Sequence, residues 1–428
     1  MTLAGIILVI SLLVLLFLGV PIAFTMALAS ICGILLSERI PMLVVDQRMF
    51  TAVDSFPLMA IPFFVMAGEL MLQGGLSKRL VSFAEAALHG IRGNLALVSI
   101  VTCAFFGAIS GSALATTAAI GGVMFPEMVK RNYKPDFTAT LQATGGTLGI
   151  LIPPSIPLVI YGVLANTSIG DLFLAVIGGG LVATFLYCLT AYVIVRREGM
   201  APKEEGAEKL PIWKSFRAAF WGLLSPVIIL GGIYRGIFTP TESAIAATLY
   251  SLFIGIFIYR ELNWKNFLTA MKRSVLTTGG IMLIIAGATL FGWLMTVMNI
   301  PMIVSSLVIE LVDGPILFLL LVNVLYLIAG MFMETSTIIL LTTPLMLPVA
   351  LKLGISPLHF GIVTVVNLSI GLITPPFGAS LFVSSSMSGV PIDKIYRRTI
   401  PFIIAGIVTV FLVTYIPALS VGFLNLIK

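Results

Sequence analysis

The sequence predicts an all-α polytopic membrane protein, built as an inverted repeat with two re-entrant helical hairpins and two broken transmembrane helices. Three observations carry this. First, 59% of the 428 residues are hydrophobic and only 10% are charged, with a mean hydropathy of +1.13, whereas a soluble chain carries about 25% charged residues. Second, the stretch Gly149-Ile150-Leu151-Ile152-Pro153-Pro154 is echoed 222 positions later by Gly371-Leu372-Ile373-Thr374-Pro375-Pro376. Each lies inside an apolar run long enough to span a bilayer, and a Pro-Pro pair cannot continue a helix there, because each ring removes an N–H and clashes with the preceding turn. The freed carbonyls are tolerable at membrane depth only where they line a cavity or bind something. Third, other landmarks keep the same offset: Met124 falls on Met346, Pro126 on Pro348 and Pro135 on Pro357.

Taken in order, the chain opens with two apolar helices, 3 to 19 and 20 to 37, divided at Gly19-Val20-Pro21. The first lacks a basic leader and a small-residue cleavage site, so it is expected to be retained rather than removed as a signal peptide. Residues 40 to 52 carry Asp46 and Arg48 and suit an interfacial helix. A third span covers 57 to 76 and is closed by Lys78-Arg79. Residues 93 to 130 hold two half-length apolar segments around Ser110-Gly111-Ser112, with Arg92 at one end and Lys130-Arg131 at the other. Two basic ends on one side of the bilayer make this a hairpin whose tip stops inside the membrane. The first broken helix follows at about 136 to 165, then a span at 172 to 195, and this first repeat ends at residue 195.

Residues 196 to 217 form a charged linker. The second repeat, 218 to 428, gives helices at 218 to 235 and 243 to 260, an interfacial arm at 263 to 273 and a span at 275 to 298. A second hairpin at 315 to 351 has Met333-Glu334-Thr335-Ser336 at its tip. The second broken helix runs about 357 to 386, and the final helix 399 to 425. Each half makes five full crossings, an odd number that inverts the second half relative to the first. If the first hairpin opens to the cytoplasm, 19 of the 24 Lys and Arg lie on that side and both termini lie outside, as positive-inside bias requires.

The polar residues at membrane depth are the functional candidates. Ser110, Ser112 and the segment Gly145 to Pro154 offer hydroxyls and unpaired carbonyls, hard oxygen ligands that suit Na⁺ better than a transition metal. A helix-packing seam of Ser and Gly is the structural alternative. Half-helix N-termini supply donors and positive dipole ends for an anion. At the second tip Glu334, Thr335 and Ser336 face Asn367, Gly371 and Thr374, and an ionisable group at this depth points to substrate or ion binding. Ser155 and Thr374 flank their prolines and are expected to look into the gap between the tips. Glu69 either pairs with another helix or subunit, or marks the end of its span. Glu242 is expected to cap the helix that it opens. Cys32, Cys103 and Cys188 and the two histidines have no paired or metal-ligand spacing. Phosphate loops, nucleophile elbows and His-Glu-x-x-His patterns are absent from the sequence, which argues against an ATP-driven pump or a membrane hydrolase. The net charge of +6 reads as basic cytoplasmic loops rather than nucleic-acid binding.

Four segments resemble the large membrane subunit of TRAP (tripartite ATP-independent periplasmic) transporters, of the ion transporter superfamily. They are Gly236-Ile237-Phe238-Thr239-Pro240-Thr241-Glu242-Ser243-Ala244, Ile152 to Pro157 followed by Tyr161-Gly162, Ser110 to Gly121, and Asn367 to Gly378. The resemblance implies a Na⁺-coupled importer of an organic acid, of the sialic acid or C4-dicarboxylate class, in a bacterial inner membrane. Its implied partners are a small four-helix membrane subunit, separate here because the chain starts directly with its first helix, and a periplasmic binding protein that delivers the substrate. An elevator movement of the hairpins and broken helices is implied as well. One Na⁺ would fall to Ser110, Ser112, Gly145, Gly149 and Pro153, the other to Thr335, Ser336, Gly371 and Thr374. The substrate carboxylate would sit near Ser112, Ser155 and Glu334, and Glu334 hints at a hydroxyl-rich monoacid. A single-component carboxylate/Na⁺ symporter of the same superfamily is the rival reading. A non-transporting membrane scaffold subunit is the rival from another class.

Overall fold

In a computed structural model of the chain, the structure describes residues 3–37, 40–91, 93–200, 211–422 and 424. Arg39, Arg92, residues 201–210 of the linker and Lys428, all used in the charge argument above, lie outside them. Among the described residues there are nineteen α-helices and no strand. In chain order they are α1 (Leu3–Phe17), α2 (Ile22–Leu35), α3 (Leu43–Val53), α4 (Ala60–Gln73), α5 (Leu76–Ala87), α6 (Asn94–Ser110), α7 (Ala113–Lys130), α8 (Pro135–Thr147), α9 (Ile156–Leu164) and α10 (Ile169–Glu198). There follow α11 (Ile212–Tyr234), α12 (Pro240–Phe253), α13 (Trp264–Val297), α14 (Ile300–Leu311), α15 (Pro315–Phe332), α16 (Thr335–Lys352), α17 (Pro357–Gly371), α18 (Ala379–Ser388) and α19 (Ile392–Tyr415). Eight of the described helices are long and apolar enough to cross a membrane. The protein is an all-α polytopic membrane protein.

Local chemistry explains most boundaries. Pro135, Pro240, Pro315 and Pro357 sit in the first turn of α8, α12, α15 and α17, where a missing N–H costs nothing. Glu242 closes a capping box at α12: its carboxylate accepts the Thr239 N–H at 2.7 Å, and the Glu242 N–H donates to Thr239 Oγ1 at 3.3 Å. The helices α7 and α16 begin and end 222 residues apart, and α8 and α17 begin at that same offset. Both Pro153–Pro154 and Pro375–Pro376 are cis.

Two features differ from the sequence expectation: the continuity of α13 and the presence of α5 and α14. The arm at 263 to 273 and the span at 275 to 298 are one continuous helix, α13, because Lys272-Arg273-Ser274 contains no breaker. In the first half α3 is separated from α4 by Asp54-Ser55 and a short turn over Phe56–Met59 that holds Pro57. Two further helices, α5 and α14, occupy stretches where the sequence predicts no element. In α5 Leu76, Leu80, Val81 and Ala84 are buried while Lys78 is exposed, so its pattern is amphipathic rather than membrane-length apolar. Asn299, in the left-handed region at φ 56°, separates α14 from α13, a conformation that Asn tolerates.

Ion pairs gather at one end of the molecule. Arg79 meets Glu261 at 2.7 Å, Arg131 meets Glu85 at 2.8 Å and Lys134 meets Glu198 at 2.7 Å. Arg398 bridges Glu198 and Asp136, tying the start of α8, the end of α10 and the start of α19 together.

Candidate functional site

The first hairpin turns on Gly111. It sits at φ +63°, a backbone setting that a side chain would strain. Ser112 then caps α7, its Oγ accepting the Ala115 N–H at 3.4 Å. The tip is tied to the broken helix by the main chain: the Ile156 N–H donates to the Gly111 carbonyl at 3.2 Å. Thr116, one turn into α7, donates its hydroxyl to the Ser112 carbonyl at 2.8 Å and lies 2.9 Å from Ser110 Oγ. These oxygens close on the backbone of Gly149, where a Cβ would stand only 2.5 Å from both Ser112 O and Thr116 Oγ1.

Of the expected first-site residues, Ser110, Ser112 and Gly149 therefore meet in space. Gly145 does not join them. A Cβ there would meet Cys103 Sγ at 2.9 Å, so this glycine serves the close packing of α8 on α6. The short, tighter turn over Leu148–Ile150 rotates Gly149 away from the face of Gly145, because a 3₁₀ turn advances each residue by more than an α turn. Pro153 is buried in the break itself. Sequence reasoning missed Thr116. Its signal was available: a hydroxyl four residues beyond Ser112 falls on the same helix face.

The second tip is built differently. Glu334 caps α16, its carboxylate accepting the Ser336 N–H at 2.8 Å, the Thr337 N–H at 3.4 Å and the Ser336 hydroxyl at 3.1 Å. The negative group faces a helix N-terminus, where it is favoured. Its acceptor capacity is thus largely committed to its own helix, which weakens the hint that it reads substrate hydroxyls. Thr335 Oγ1 is buried and has no hydrogen-bond partner among the described residues. Gly371 lies against Gly330: a Cβ on it would be 2.5 Å from Gly330 Cα. Thr374 turns inward, its hydroxyl donating to the Ile370 carbonyl at 2.7 Å. Beside it, the Asn367 amide donates to Asn323 O at 3.0 Å and Asn323 Oδ1 at 2.9 Å, which leaves Asn367 Oδ1 buried and unpartnered.

Both tips open onto one cavity of about 320 Å³, a volume that suits a small ligand. Ser112 to Leu114 line it from the first tip and Glu334 to Ser336 from the second, with Ile156 and Pro157 from α9 and Thr277 and Gly280 from α13. Ser155 is not part of this wall. It is fully buried behind it, its hydroxyl unpartnered. The arrangement aims the N-terminal ends of α7 and α16 at a common space; that of α7 favours an anionic group, while that of α16 is already met by the Glu334 carboxylate. The expected Na⁺ ligands fit a hard cation by type: hydroxyl and carbonyl oxygens converge on Gly149 in one half, and two oxygens are orphaned in the other.

Comparison with known proteins places these features in a family. Residues 9–419 match the model of the "Tripartite ATP-independent periplasmic transporter, DctM component". The chain is 41% identical over 405 residues to the isethionate TRAP transporter permease protein DctMQ of Oleidesulfovibrio alaskensis, covering 95% of this chain and 64% of that longer protein. It is 43% identical over 380 residues to the C4-dicarboxylate TRAP transporter large permease protein DctM of Pseudomonas aeruginosa, covering 88% of each. The sialic acid TRAP transporter large permease protein SiaM of Vibrio cholerae is 37% identical over 405 residues, with 94% of each covered. Among solved structures, the YdaH transporter of Alcanivorax borkumensis shares the fold with a TM-score of 0.62 at 16% identity, over 86% of each chain.

Proposed function

Because the chain belongs to the DctM-component family of tripartite ATP-independent periplasmic transporters, we propose that it carries an organic acid across the inner membrane, driven by Na⁺. The observation that supports this most is the single cavity onto which two hairpin tips open, each tip capping a helix whose N-terminus points inward. The acid's carboxylate takes donors there from the Ser112 hydroxyl and the first turn of α7, since Glu334 already accepts the Ser336 and Thr337 N–H groups at the start of α16. One Na⁺ is held by Ser110, Ser112, Thr116 and Gly149. A second is held by Thr335, Ser336 and the turn from Gly371 to Thr374, with Asn367 beside it. When bound, the cations neutralise the carboxylate's surroundings and couple its entry to the Na⁺ gradient. The substrate class follows the relatives, which are named for isethionate, C4-dicarboxylates and sialic acid.

The matching offsets of α7 with α16 and α8 with α17 support two inverted repeats, 1–195 and 218–428, joined by a cytoplasmic linker. The ionic cluster that joins Arg79, Arg131, Lys134 and Arg398 to their carboxylates supports a common cytoplasmic end, with both termini periplasmic. The two hairpins and two broken helices are the parts that move, elevator-fashion, against the remaining helices. A small membrane subunit and a periplasmic binding protein complete the transporter.

The test is uptake of radiolabelled succinate, N-acetylneuraminate or isethionate into proteoliposomes that hold this chain with its small subunit and binding protein. Uptake of one acid should require both the binding protein and an inward Na⁺ gradient. Equal uptake with K⁺ replacing Na⁺ would remove the coupling, and uptake without the binding protein would favour a single-component symporter.

A further inference from the structure

Beside the cavity between the tips lies a second one of about 230 Å³, which shares Ser112, Leu114 and Thr277 with it and adds Val65, Gly68 and Glu69 of α4. Here α4 touches the first tip directly: a Cβ on Gly68 would lie 3.0 Å from Ser110 Cα. Glu69 Oε2 is buried and accepts no hydrogen bond among the described residues. Its nearest cation is Arg273, whose Nη1 stands 3.9 Å away, attractive at that range but too far to be a hydrogen bond. The two side chains differ in exposure, 16% for Glu69 and 56% for Arg273. Arg273 also precedes Thr277, Gly280, Ile281 and Ile284 along one stripe of α13, and those four line the larger cavity. Arg273 lines neither cavity itself, but its backbone stands one turn before Thr277 and its guanidinium is 3.9 Å from Glu69, which lines the smaller cavity and makes no hydrogen bond among the described residues.

We infer that Arg273 and Glu69 form an anion-exchange latch at the mouth of the substrate cavity. The acid's carboxylate displaces Glu69 from Arg273 on its way through, and Glu69 reclaims Arg273 when the acid has left. A guanidinium matches a carboxylate in a planar two-point contact, which the 3.9 Å spacing to Glu69 leaves unmade. Glu69 supplies a built-in competitor, so the acid is not trapped by an unopposed cation. Arg273 thereby becomes a specificity-determining residue for anionic over neutral solutes. The inference rests on the reading of the larger cavity as the substrate site.

The experiment measures dissociation constants of succinate, N-acetylneuraminate and isethionate, in Na⁺, by thermal stabilisation of the purified complex of this chain with its small subunit. Arg273→Gln should weaken binding about tenfold, and Arg273→Lys by less, as expected for loss of one partly exposed charged contact. Glu69→Gln should tighten binding about threefold by removing the competitor, and that gain should vanish in the Glu69→Gln/Arg273→Gln pair. Opposite signs with loss of the gain in the pair support the latch; a purely structural ion pair would move both single variants the same way. Unchanged binding in Arg273→Gln overturns the latch, and if Ser112→Ala still weakens binding the cavity reading survives it. Should no acid stabilise the unaltered complex, or should Ser112→Ala bind normally, the cavity reading falls and the latch with it.

Discussion

Replacing Gly149 by Ala is the sharpest test of the first proposed cation site. The new methyl would stand 2.5 Å from the Ser112 carbonyl oxygen and from Thr116 Oγ1, and 2.9 Å from the Ser112 carbonyl carbon. Ordinary contact begins near 3.4 Å, so the tip and the broken helix must part by about 0.9 Å. Two of the three obstructing atoms are backbone, and the main chain there is pinned by the Ile156-to-Gly111 hydrogen bond, so no flexible side-chain end can absorb the shift. Overpacking of this kind costs about 1–3 kcal/mol. The displaced oxygens are the proposed Na⁺ ligands, so a similar energy is lost from cation binding, roughly five- to 150-fold in the Na⁺ concentration for half-maximal uptake. The assay is Na⁺-dependent uptake in proteoliposomes beside thermal unfolding in detergent. Gly122→Ala is the control. That position lies in α7 with nothing within 4 Å of an added Cβ, so it should leave Na⁺ dependence unchanged and stability equal or about 0.4–1 kcal/mol higher. A Gly149→Ala protein that loses stability yet keeps the Na⁺ dependence of the unaltered chain would refute the site and leave only a packing role.

Thr116→Val keeps the shape and removes the hydroxyl that bonds Ser112 O; it should lower stability by about 1 kcal/mol and raise the half-maximal Na⁺ concentration about fivefold, with Thr116→Ser restoring both in the same assays. Glu334→Gln should cost about 1 kcal/mol in thermal unfolding, since a charged acceptor at the N-terminus of α16 is replaced by a neutral one. Thr239→Ala breaks the capping box at α12 and should cost about 1 kcal/mol with no change in uptake, as the box lies away from both tips.

What was legible in the sequence was whatever backbone chemistry announces along the chain. Pro-Pro pairs stop helices regardless of surroundings, so the breaks after Ile150 and Gly371 are where the residues demanded them. Gly111 and Glu334 mark the tips for the same reason, one through its left-handed φ and the other through its capping carboxylate. Direction across the chain was less legible. Gly145 and Gly149 look equivalent in one dimension, but one meets Cys103 and the other meets Ser112 and Thr116, a distinction set by a single tight turn. Ser155 flanks its prolines as expected and still does not line the cavity. The helix α5 is hidden in the sequence because charges dilute its apolar face, and Lys272-Arg273 reads as an interface although nothing in the backbone requires a stop within α13.

The two tips differ in how their oxygens are satisfied, and the difference has a sign that can be measured. In the first, Ser110, Ser112 and Thr116 bond one another, so a cation there must displace contacts already made. In the second, Thr335 Oγ1 and Asn367 Oδ1 are buried with no partner, and Asn323 holds the Asn367 amide so that its oxygen cannot turn to a donor elsewhere. An orphaned buried acceptor costs about 1–3 kcal/mol, and a bound cation relieves that cost. The second site should therefore gain more from Na⁺ than the first. Thr335→Val removes an orphan, so in Na⁺-free buffer it should leave stability unchanged or raise it by up to about 1 kcal/mol, in contrast to Thr116→Val. In Na⁺ it should lose most of the stabilisation that the cation confers on the unaltered chain, and its half-maximal Na⁺ concentration should rise more than that of Thr116→Val. Thermal unfolding of both variants across a Na⁺ series, with choline as the replacement ion, reads both signs at once. A Thr335→Val protein that is destabilised without Na⁺ and stabilised normally by it would show that the hydroxyl has a protein partner, and that the second half draws its cation ligands from elsewhere.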